Sequence, residues 1–188
     1  MSEQILKILQ DTEAVLSGHF LLSSGKHSKG YVQCAKLLRY ADKAEIVLRE
    51  AVKKLPQKPD IVVGPAMGGV IVSYEVGRQL GVESIFTERV ENVMSLRRGF
   101  NIPKGAKILI AEDVLTTGKS TKETIDALAS FGGEVIGVLC IVDRTDGSLP
   151  FDLPIYSAVK LNIETYEAEH CPLCKQGSIP VKPGSRRF

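Results

Sequence analysis

Residues 107–121 have the sequence Lys107-Ile-Leu-Ile-Ala-Glu-Asp-Val-Leu-Thr-Thr-Gly-Lys-Ser-Thr121, which combines a strand pattern, an acid pair and a glycine turn. The apolar run Lys107–Ala111 is typical of a buried parallel strand. We expect this strand to end at Glu112 and Asp113. A helical pattern begins after the turn, so a hydroxyl-rich segment opens a helix at the carboxyl end of a strand. Free backbone N–H groups and the helix dipole favour a phosphate at that place.

The acid pair limits which phosphate ligand fits this turn. A P-loop requires a glycine five positions before Gly118, and that position holds Asp113. Two carboxylates would repel a polyphosphate tail, but they suit the 2′ and 3′ hydroxyls of a ribose whose 5′-phosphate lies in the turn. The pattern therefore predicts a ribose 5-phosphate site. An ordinary capped helix after a strand is the alternative, and it leaves the acids and the hydroxyls unexplained.

The segment Ile108–Thr121 resembles, without a gap, the phosphoribosyl diphosphate (PRPP) binding motif of the type I phosphoribosyltransferases. The resemblance implies a catalytic role for Asp113. It also implies that PRPP is bound by Glu112, Asp113, Val114, Leu115, Thr116, Thr117, Gly118, Lys119 and Ser120. The cofactor implied is Mg²⁺, bound mainly through PRPP, so we expect no metal ligands from the protein itself.

The composition is that of a soluble globular protein and does not favour a nucleic-acid or membrane partner. The chain has 188 residues, 44% hydrophobic and 24% charged, with a net charge of +2. This length suits one domain, and the charge is too small to favour nucleic acid or an anionic membrane as partner. The amino terminus lacks the basic region of a secretory signal, and the apolar stretch 61–72 is too short to span a bilayer. We expect a cytoplasmic protein.

Strand patterns alternate with helical patterns along the chain. This alternation predicts an α/β fold with a central parallel sheet flanked by helices, and ligands at the carboxyl ends of its strands. The expected strands are 60–64, 84–87, 107–111 and 135–142, and the first expected helix is 3–16. With the resemblance, residues 1–188 are interpreted as one phosphoribosyltransferase domain. Its expected parts are an amino-terminal helix and hood (1–38), an α/β core (39–145) and a carboxyl-terminal extension (146–188).

A second glycine-containing turn, Gly64-Pro-Ala-Met-Gly-Gly69, follows a strand and opens a helix. Its glycines allow backbone amides to approach a ligand closely. The segment resembles the pyrophosphate loop of the phosphoribosyltransferases, which implies that Ala66, Met67 and Gly68 bind pyrophosphate. Orotate enzymes of the family commonly have a lysine where this chain has Gly68. The alternative is a plain strand-to-helix turn.

The apolar residues of the segment 88–104 show neither helical nor strand periodicity, and the segment carries Arg89, Arg97 and Arg98. A loop of this length in a compact domain is usually functional or disordered. The resemblance implies a mobile loop that closes over the diphosphate, with Arg89 and Arg98 as catalytic residues. It also implies a homodimer, because this loop reaches the neighbouring subunit's site in the family. The alternative is a solvated surface loop.

The base-binding residues are implied by a more specific resemblance. Residues 18–33 are similar to the amino-terminal hood of the orotate phosphoribosyltransferases, and Asp143-Arg144 follows the last expected strand. The resemblance implies that orotate is bound by Lys26, Thr116 and Arg144, where the planar guanidinium suits a carboxylate. The alternatives are solvent exposure for Lys26 and an ion pair with Asp143 or Asp146 for Arg144.

A Cys-x-x-Cys motif, Cys171-Pro-Leu-Cys174, stands near the carboxyl terminus. A structural zinc site needs four ligands, and the remaining cysteines, Cys34 and Cys140, are distant in sequence. We therefore predict no metal site and expect packing or a local turn, with zinc binding and a redox pair as alternatives.

Taken together, the resemblance implies an enzyme that joins orotate to PRPP and releases pyrophosphate and orotidine 5′-monophosphate, a step of pyrimidine nucleotide synthesis. Two alternatives remain open. One is a phosphoribosyltransferase for a purine base, and the other is a PRPP-sensing transcriptional regulator on the same fold.

Overall fold

A computed structural model describes residues 2–22, 24–147 and 149–183. The helices are α1 (Ser2–Asp11), α2 (Ala35–Leu38), α3 (Ala41–Val52), α4 (Gly68–Leu80), α5 (Lys119–Ala129) and α6 (Pro172–Lys175), with a 3₁₀ turn at Ala168–His170. The strands are β1 (Val15–Leu21), β2 (His27–Val32), β3 (Ile61–Pro65), β4 (Glu83–Val90), β5 (Val93–Leu96), β6 (Lys107–Leu115), β7 (Glu134–Asp143), β8 (Ile155–Lys160) and β9 (Thr165–Tyr166).

The main sheet has six strands in the order β5-β4-β3-β6-β7-β8. All its neighbouring strands are parallel except the pair β4 and β5. Val62 and Leu109 pack with residues of α3 and α4 on one face, whereas Ile61 and Ile108 pack with Leu128 of α5 on the other. Full burial of one such leucine contributes about 1.5–3 kcal/mol. The α/β fold with a central, mostly parallel sheet is confirmed.

The central strand β6 is longer than its apolar run predicts. It continues to Leu115, because Glu112 pairs with Cys140 and Leu115 pairs with Asp143 of β7. The expectation that the strand ends at Glu112 and Asp113 was therefore wrong, and the two acids lie within the strand itself. The first helix is shorter than predicted, since α1 ends at Asp11 and β1 begins at Val15.

A second sheet with the order β1-β2-β9 forms the hood. Strands β1 and β2 make an antiparallel hairpin, and the short β9 pairs with β2. Farther along the chain, Val181 forms a bridge with Phe20 of β1. The chain after residue 145 thus contributes β8 to the main sheet and β9 to the hood.

Residues 88–104 are more ordered than the irregular loop that we expected. Val90 and Val93 pair across a two-residue turn, so β4 and β5 form a hairpin. Its central residues, Glu91 and Asn92, both have positive φ angles, 51° and 66°. Such turns match the twist of a hairpin but usually contain glycine, which is why the sequence did not reveal this one.

In the part of the chain that the structure describes, no helix is both long and apolar enough to cross a membrane.

Candidate functional site

The carboxyl ends of three adjacent parallel strands bring the predicted site segments to one edge of the sheet. Strand β6 pairs with β3 on one side and with β7 on the other. Ala66, Met67 and Gly68 follow β3, the acid pair lies near the end of β6, and Arg144 follows β7. This edge is where ligands bind in open parallel sheets.

Gly68 and Asp113 are in direct contact across this edge. A Cβ atom added to Gly68 would lie 2.4 Å from Oδ2 of Asp113, far inside any allowed contact. The other carboxylate oxygen, Oδ1, accepts a 2.8 Å hydrogen bond from the backbone N–H of Val114. The peptide bond between Ala66 and Met67 is cis. The absence of a side chain at residue 68 therefore lets the start of α4 approach the Asp113 carboxylate.

Both acids lie in surroundings that disfavour their charged forms. Burial raises the pKa of Glu112 to about 8, and the nearby Asp113 carboxylate adds to the shift. Burial also raises the pKa of Asp113, while the Val114 N–H opposes that shift. Hydroxyl groups or positive charge brought by a ligand would stabilise these carboxylates. The acid pair is thus suited to a ribose diol.

The turn after β6 leaves backbone donors free at the start of α5. Thr116 and Thr117 are exposed, and Gly118 precedes the helix with φ of 71° and no side-chain cap. A Cβ atom on Gly118 would lie 2.8 Å from Cε1 of Phe151, so both the backbone angle and the space require glycine. The first-turn N–H groups at Lys119 and Ser120 are the kind of donors that bind a phosphate.

Arg144 is a half-buried cation without a carboxylate partner among the described residues. Its Nε atom is buried and has no hydrogen-bond partner there, and burial lowers its pKa. Asp143 instead accepts hydrogen bonds from Thr145 N and Oγ1 and lies 3.4 Å from Lys160 Nζ. The alternative in which Arg144 pairs with Asp143 or Asp146 does not hold within the described chain.

Three predicted site residues form ion pairs with acidic residues that do not belong to the ends of β3, β6 and β7. Arg89 pairs with Glu123 of α5, and Arg98 donates two 3.0 Å hydrogen bonds to Glu88. The Glu88 carboxylate raises the pKa of Arg98. Lys26 lies 2.8 Å from Glu167. Direct roles for these side chains would require the pairs to open, and they stay predictions.

The Cys-x-x-Cys motif has neighbours that the sequence analysis missed. Cys171 and Cys174 lie beside His19 and His27 of the hood, and the four ligand atoms are within 4.8 Å of one another. The argument that only Cys34 and Cys140 could complete a ligand set was therefore wrong. Two histidines eight residues apart in a hairpin were the available signal, but they lie about 150 residues from the cysteines.

The chain is similar in sequence to known proteins over most of its length. The sequence model of the phosphoribosyl transferase domain matches residues 35–172. Orotate phosphoribosyltransferase of Caldanaerobacter subterraneus subsp. tengcongensis is 55% identical over 187 residues, covering 99% of this chain and 98% of that protein. The orotate phosphoribosyltransferase of Thermoanaerobacter sp. (strain X514) is 52% identical with the same coverage.

A solved structure shows the same fold. The crystal structure of orotate phosphoribosyltransferase from Aeropyrum pernix superposes with a TM-score of 0.72 at 26% identity, covering 84% of this chain and 93% of that one. Because the domain match spans most of the chain and both sequence relatives are more than half identical to it, the chain belongs to the orotate phosphoribosyltransferases of the type I phosphoribosyltransferase family.

Proposed function

We propose that the protein transfers the phosphoribosyl group of PRPP to orotate, giving orotidine 5′-monophosphate and pyrophosphate in pyrimidine nucleotide synthesis. The observation that carries this proposal is the half-buried guanidinium of Arg144, which has no carboxylate partner among the described residues and follows β7 at the edge of the sheet that holds the acid pair. A buried cation without a counter-ion favours an anionic ligand, and the carboxylate of orotate supplies that charge.

The acid pair positions the ribose and stabilises the transition state. Glu112 and Asp113 accept hydrogen bonds from the 2′ and 3′ hydroxyls of PRPP. Departure of pyrophosphate leaves positive charge on the ribose ring, as in glycoside transfer. The fixed Asp113 carboxylate, oriented by Val114 N–H and Gly68, stabilises that charge electrostatically. No covalent intermediate with the protein is needed.

The turn and the first residues of α5 anchor the 5′-phosphate. Backbone N–H groups from Thr117 to Ser120 and the hydroxyls there bind the phosphate oxygens, and Lys119 adds positive charge to the same region. Binding energy gained at this remote group holds C1 of the ribose in place for attack.

The residues at the site also fit Mg²⁺. This ion prefers oxygen ligands and is commonly held by one or two carboxylates together with substrate phosphates. The ion would be held mainly by PRPP oxygens, with the carboxylates of Glu112 and Asp113 adding negative charge beside it. When bound, Mg²⁺ would offset the negative charge of the departing diphosphate.

The pyrophosphate is bound by the turn after β3 and by the arginines of the β4–β5 hairpin. The N–H groups of Met67 and Gly68 contact the diphosphate, since no side chain at residue 68 blocks their approach. Ala66 lines the same turn, and its own N–H donates a 2.7 Å hydrogen bond to the carbonyl oxygen of Thr87. Arg98 leaves Glu88 and, with Arg89, stabilises the leaving group and helps to exclude water.

The base lies between the strand ends and the hood. Arg144 binds the orotate carboxylate, Thr116 donates to the same ligand, and Lys26 covers it from the hood. We further propose a cytoplasmic homodimer in which residues 1–38 form the hood, 39–145 the core and 146–188 the extension of one catalytic domain.

The proposal is tested with a panel of bases. Purified protein is mixed with PRPP and Mg²⁺ and with orotate, uracil, adenine, hypoxanthine or xanthine, and released pyrophosphate is measured. Pyrophosphate release with orotate, and with none of the other four bases, supports the proposal. Release with a purine would overturn the assignment of Arg144, and PRPP binding without turnover of any base would favour a PRPP-sensing regulator.

A further inference from the structure

We propose that His19, His27, Cys171 and Cys174 bind one Zn²⁺ ion that fastens the hood hairpin to the carboxyl-terminal segment. The cluster lies in the hood, and none of its residues belongs to the substrate site proposed above. It unites two of the three histidines and two of the four cysteines of the chain.

The distances between the four ligand atoms suit a tetrahedral ion. His19 Nε2 lies 3.0 Å from His27 Nδ1 and 3.5 Å from Cys171 Sγ. Cys174 Sγ lies 3.8 Å from His19 Nε2 and 3.3 Å from His27 Nδ1. Zinc bond lengths in a tetrahedron require about 3.3 Å between two nitrogens and about 3.6 Å between nitrogen and sulfur. These four separations are each within about 0.3 Å of the tetrahedral values, and the other two do not exceed 4.8 Å, so the cluster is of the right size to close around one ion.

A hydrogen bond outside the cluster prepares one histidine for metal binding. His19 Nδ1 lies 3.1 Å from both the carbonyl oxygen and the Oγ atom of Ser178. In the tautomer in which Nδ1 donates to this carbonyl oxygen, Nε2 presents its lone pair to the centre of the cluster. Metal-bound histidines are typically oriented by such a partner on the other ring nitrogen.

The chemistry of the ligand set selects zinc among common metals. Two thiolates and two imidazoles in a tetrahedron are characteristic of structural zinc sites, and all four positions are filled by the protein. His19, His27 and Cys171 are buried and Cys174 is half-buried, so the ion would be shielded from solvent. Binding would release the two thiol protons to water.

The ion would reinforce the docking of the carboxyl-terminal segment onto the hood, which β9 and Val181 already contact. His19 and His27 belong to β1 and β2, whereas the cysteines flank the start of α6. The segment after α6 returns to β1, where Val181 N donates to His19 O at 2.8 Å. Lys26 immediately precedes His27, so zinc would also hold the hood end of the substrate site in place.

The test is metal analysis of the tag-free protein, purified reduced and without chelators. We expect about one equivalent of zinc per chain. Cys174→Ser and His27→Gln are expected to lose most of it. His170→Gln is the matched control, because it removes the third histidine, which is exposed and adjacent to Cys171 yet outside the cluster. Protein that contains no zinc, even after anaerobic zinc addition with all thiols reduced, would overturn the proposal.

Cobalt substitution gives a readout that does not depend on how well the variants fold. Apo-protein titrated with Co²⁺ should show the visible absorption of tetrahedral cobalt and a thiolate charge-transfer band, saturating at one equivalent. Removal of zinc from the wild type should lower Tm by roughly 5–10 °C. Octahedral cobalt spectra, a Cys171–Cys174 disulfide in the freshly isolated protein, or equal zinc in Cys174→Ser would contradict the site.

Discussion

The backbone N–H of Arg144 donates a 2.8 Å hydrogen bond to the carbonyl oxygen of Leu115. This contact joins the end of β7 to the turn that begins at Thr116. It places Arg144 next to Thr116, two of the three proposed base-binding residues, at the end of the strand that carries the acid pair. The relative position of these proposed site residues therefore depends on the register between β6 and β7.

Loss of the Arg144 guanidinium should weaken orotate binding selectively. Arg144→Ala is expected to raise KM for orotate by about 10–100-fold, the usual effect of removing a charged hydrogen-bond donor, with a much smaller change for PRPP. Arg144→Lys should recover part of the loss. Steady-state kinetics with each substrate varied measures this, and Arg49→Ala on the exposed side of α3 is the control. Equal increases in both KM values would remove Arg144 from the base pocket.

Neutralising Asp113 should impair the chemical step. Asp113→Asn preserves the shape of the side chain but removes the charge that stabilises the cationic ribose, so kcat should fall by about 10²–10³-fold. The melting temperature should stay near the wild-type value or rise, because burial disfavours the ionised carboxylate. Asp126→Asn on the exposed side of α5 is the matched control. Near-normal turnover would refute the proposed role.

The contact between Gly68 and Asp113 predicts a specific coupling. Gly68→Ala places a methyl group against the Asp113 carboxylate and should reduce kcat/KM by displacing it. In an Asp113→Ala background the added methyl meets no carboxylate, so Gly68→Ala should have little further effect. A double-mutant cycle on kcat/KM measures the difference. Fully additive effects would show that Gly68 acts through another contact.

Because the pKa of Glu112 is raised in the folded protein, we expect the ligand-free protein to lose stability as the pH rises. The folded protein retains the Glu112 proton up to about pH 8, whereas the unfolded chain releases it near the ordinary value of 4.5. The folded state then binds more protons, so the free energy of unfolding falls with rising pH between these values. Denaturant unfolding from pH 4.5 to 8.5 measures the slope. Glu112→Gln should flatten it, and an identical slope in the variant would contradict the raised pKa.

The ion pair between Arg98 and Glu88 predicts opposite results for its two members. Arg98→Ala should lower kcat because the arginine stabilises departing pyrophosphate, whereas Glu88→Gln should maintain or raise kcat by releasing Arg98. Single-turnover rates with saturating PRPP distinguish the two variants. If neither substitution changes the rate, Arg98 is only a surface ion-pair residue, of the kind that contributes about 0–1 kcal/mol.

The turn that opens α5 could be located from the sequence because its information is local. The apolar run, the acid pair and Gly118 are consecutive, and the rule that ligands bind at the carboxyl ends of parallel strands places Arg144 beside them. The β4–β5 hairpin was missed because Glu91 and Asn92 take positive φ angles without glycine. The proximity of His19 and His27 to Cys171 depends on docking of the carboxyl-terminal segment onto the hood, which no local pattern encodes.

The most direct test of the central claim is the stoichiometry of the proposed reaction. Wild-type protein with Mg²⁺, PRPP and orotate is followed by loss of orotate ultraviolet absorbance and by pyrophosphate release in the same sample. We predict equal amounts of orotate consumed and pyrophosphate formed, strict dependence on PRPP, and a loss of rate of about 10²-fold or more in Asp113→Asn. Pyrophosphate release without orotate consumption, or orotate consumption without PRPP, would contradict the account.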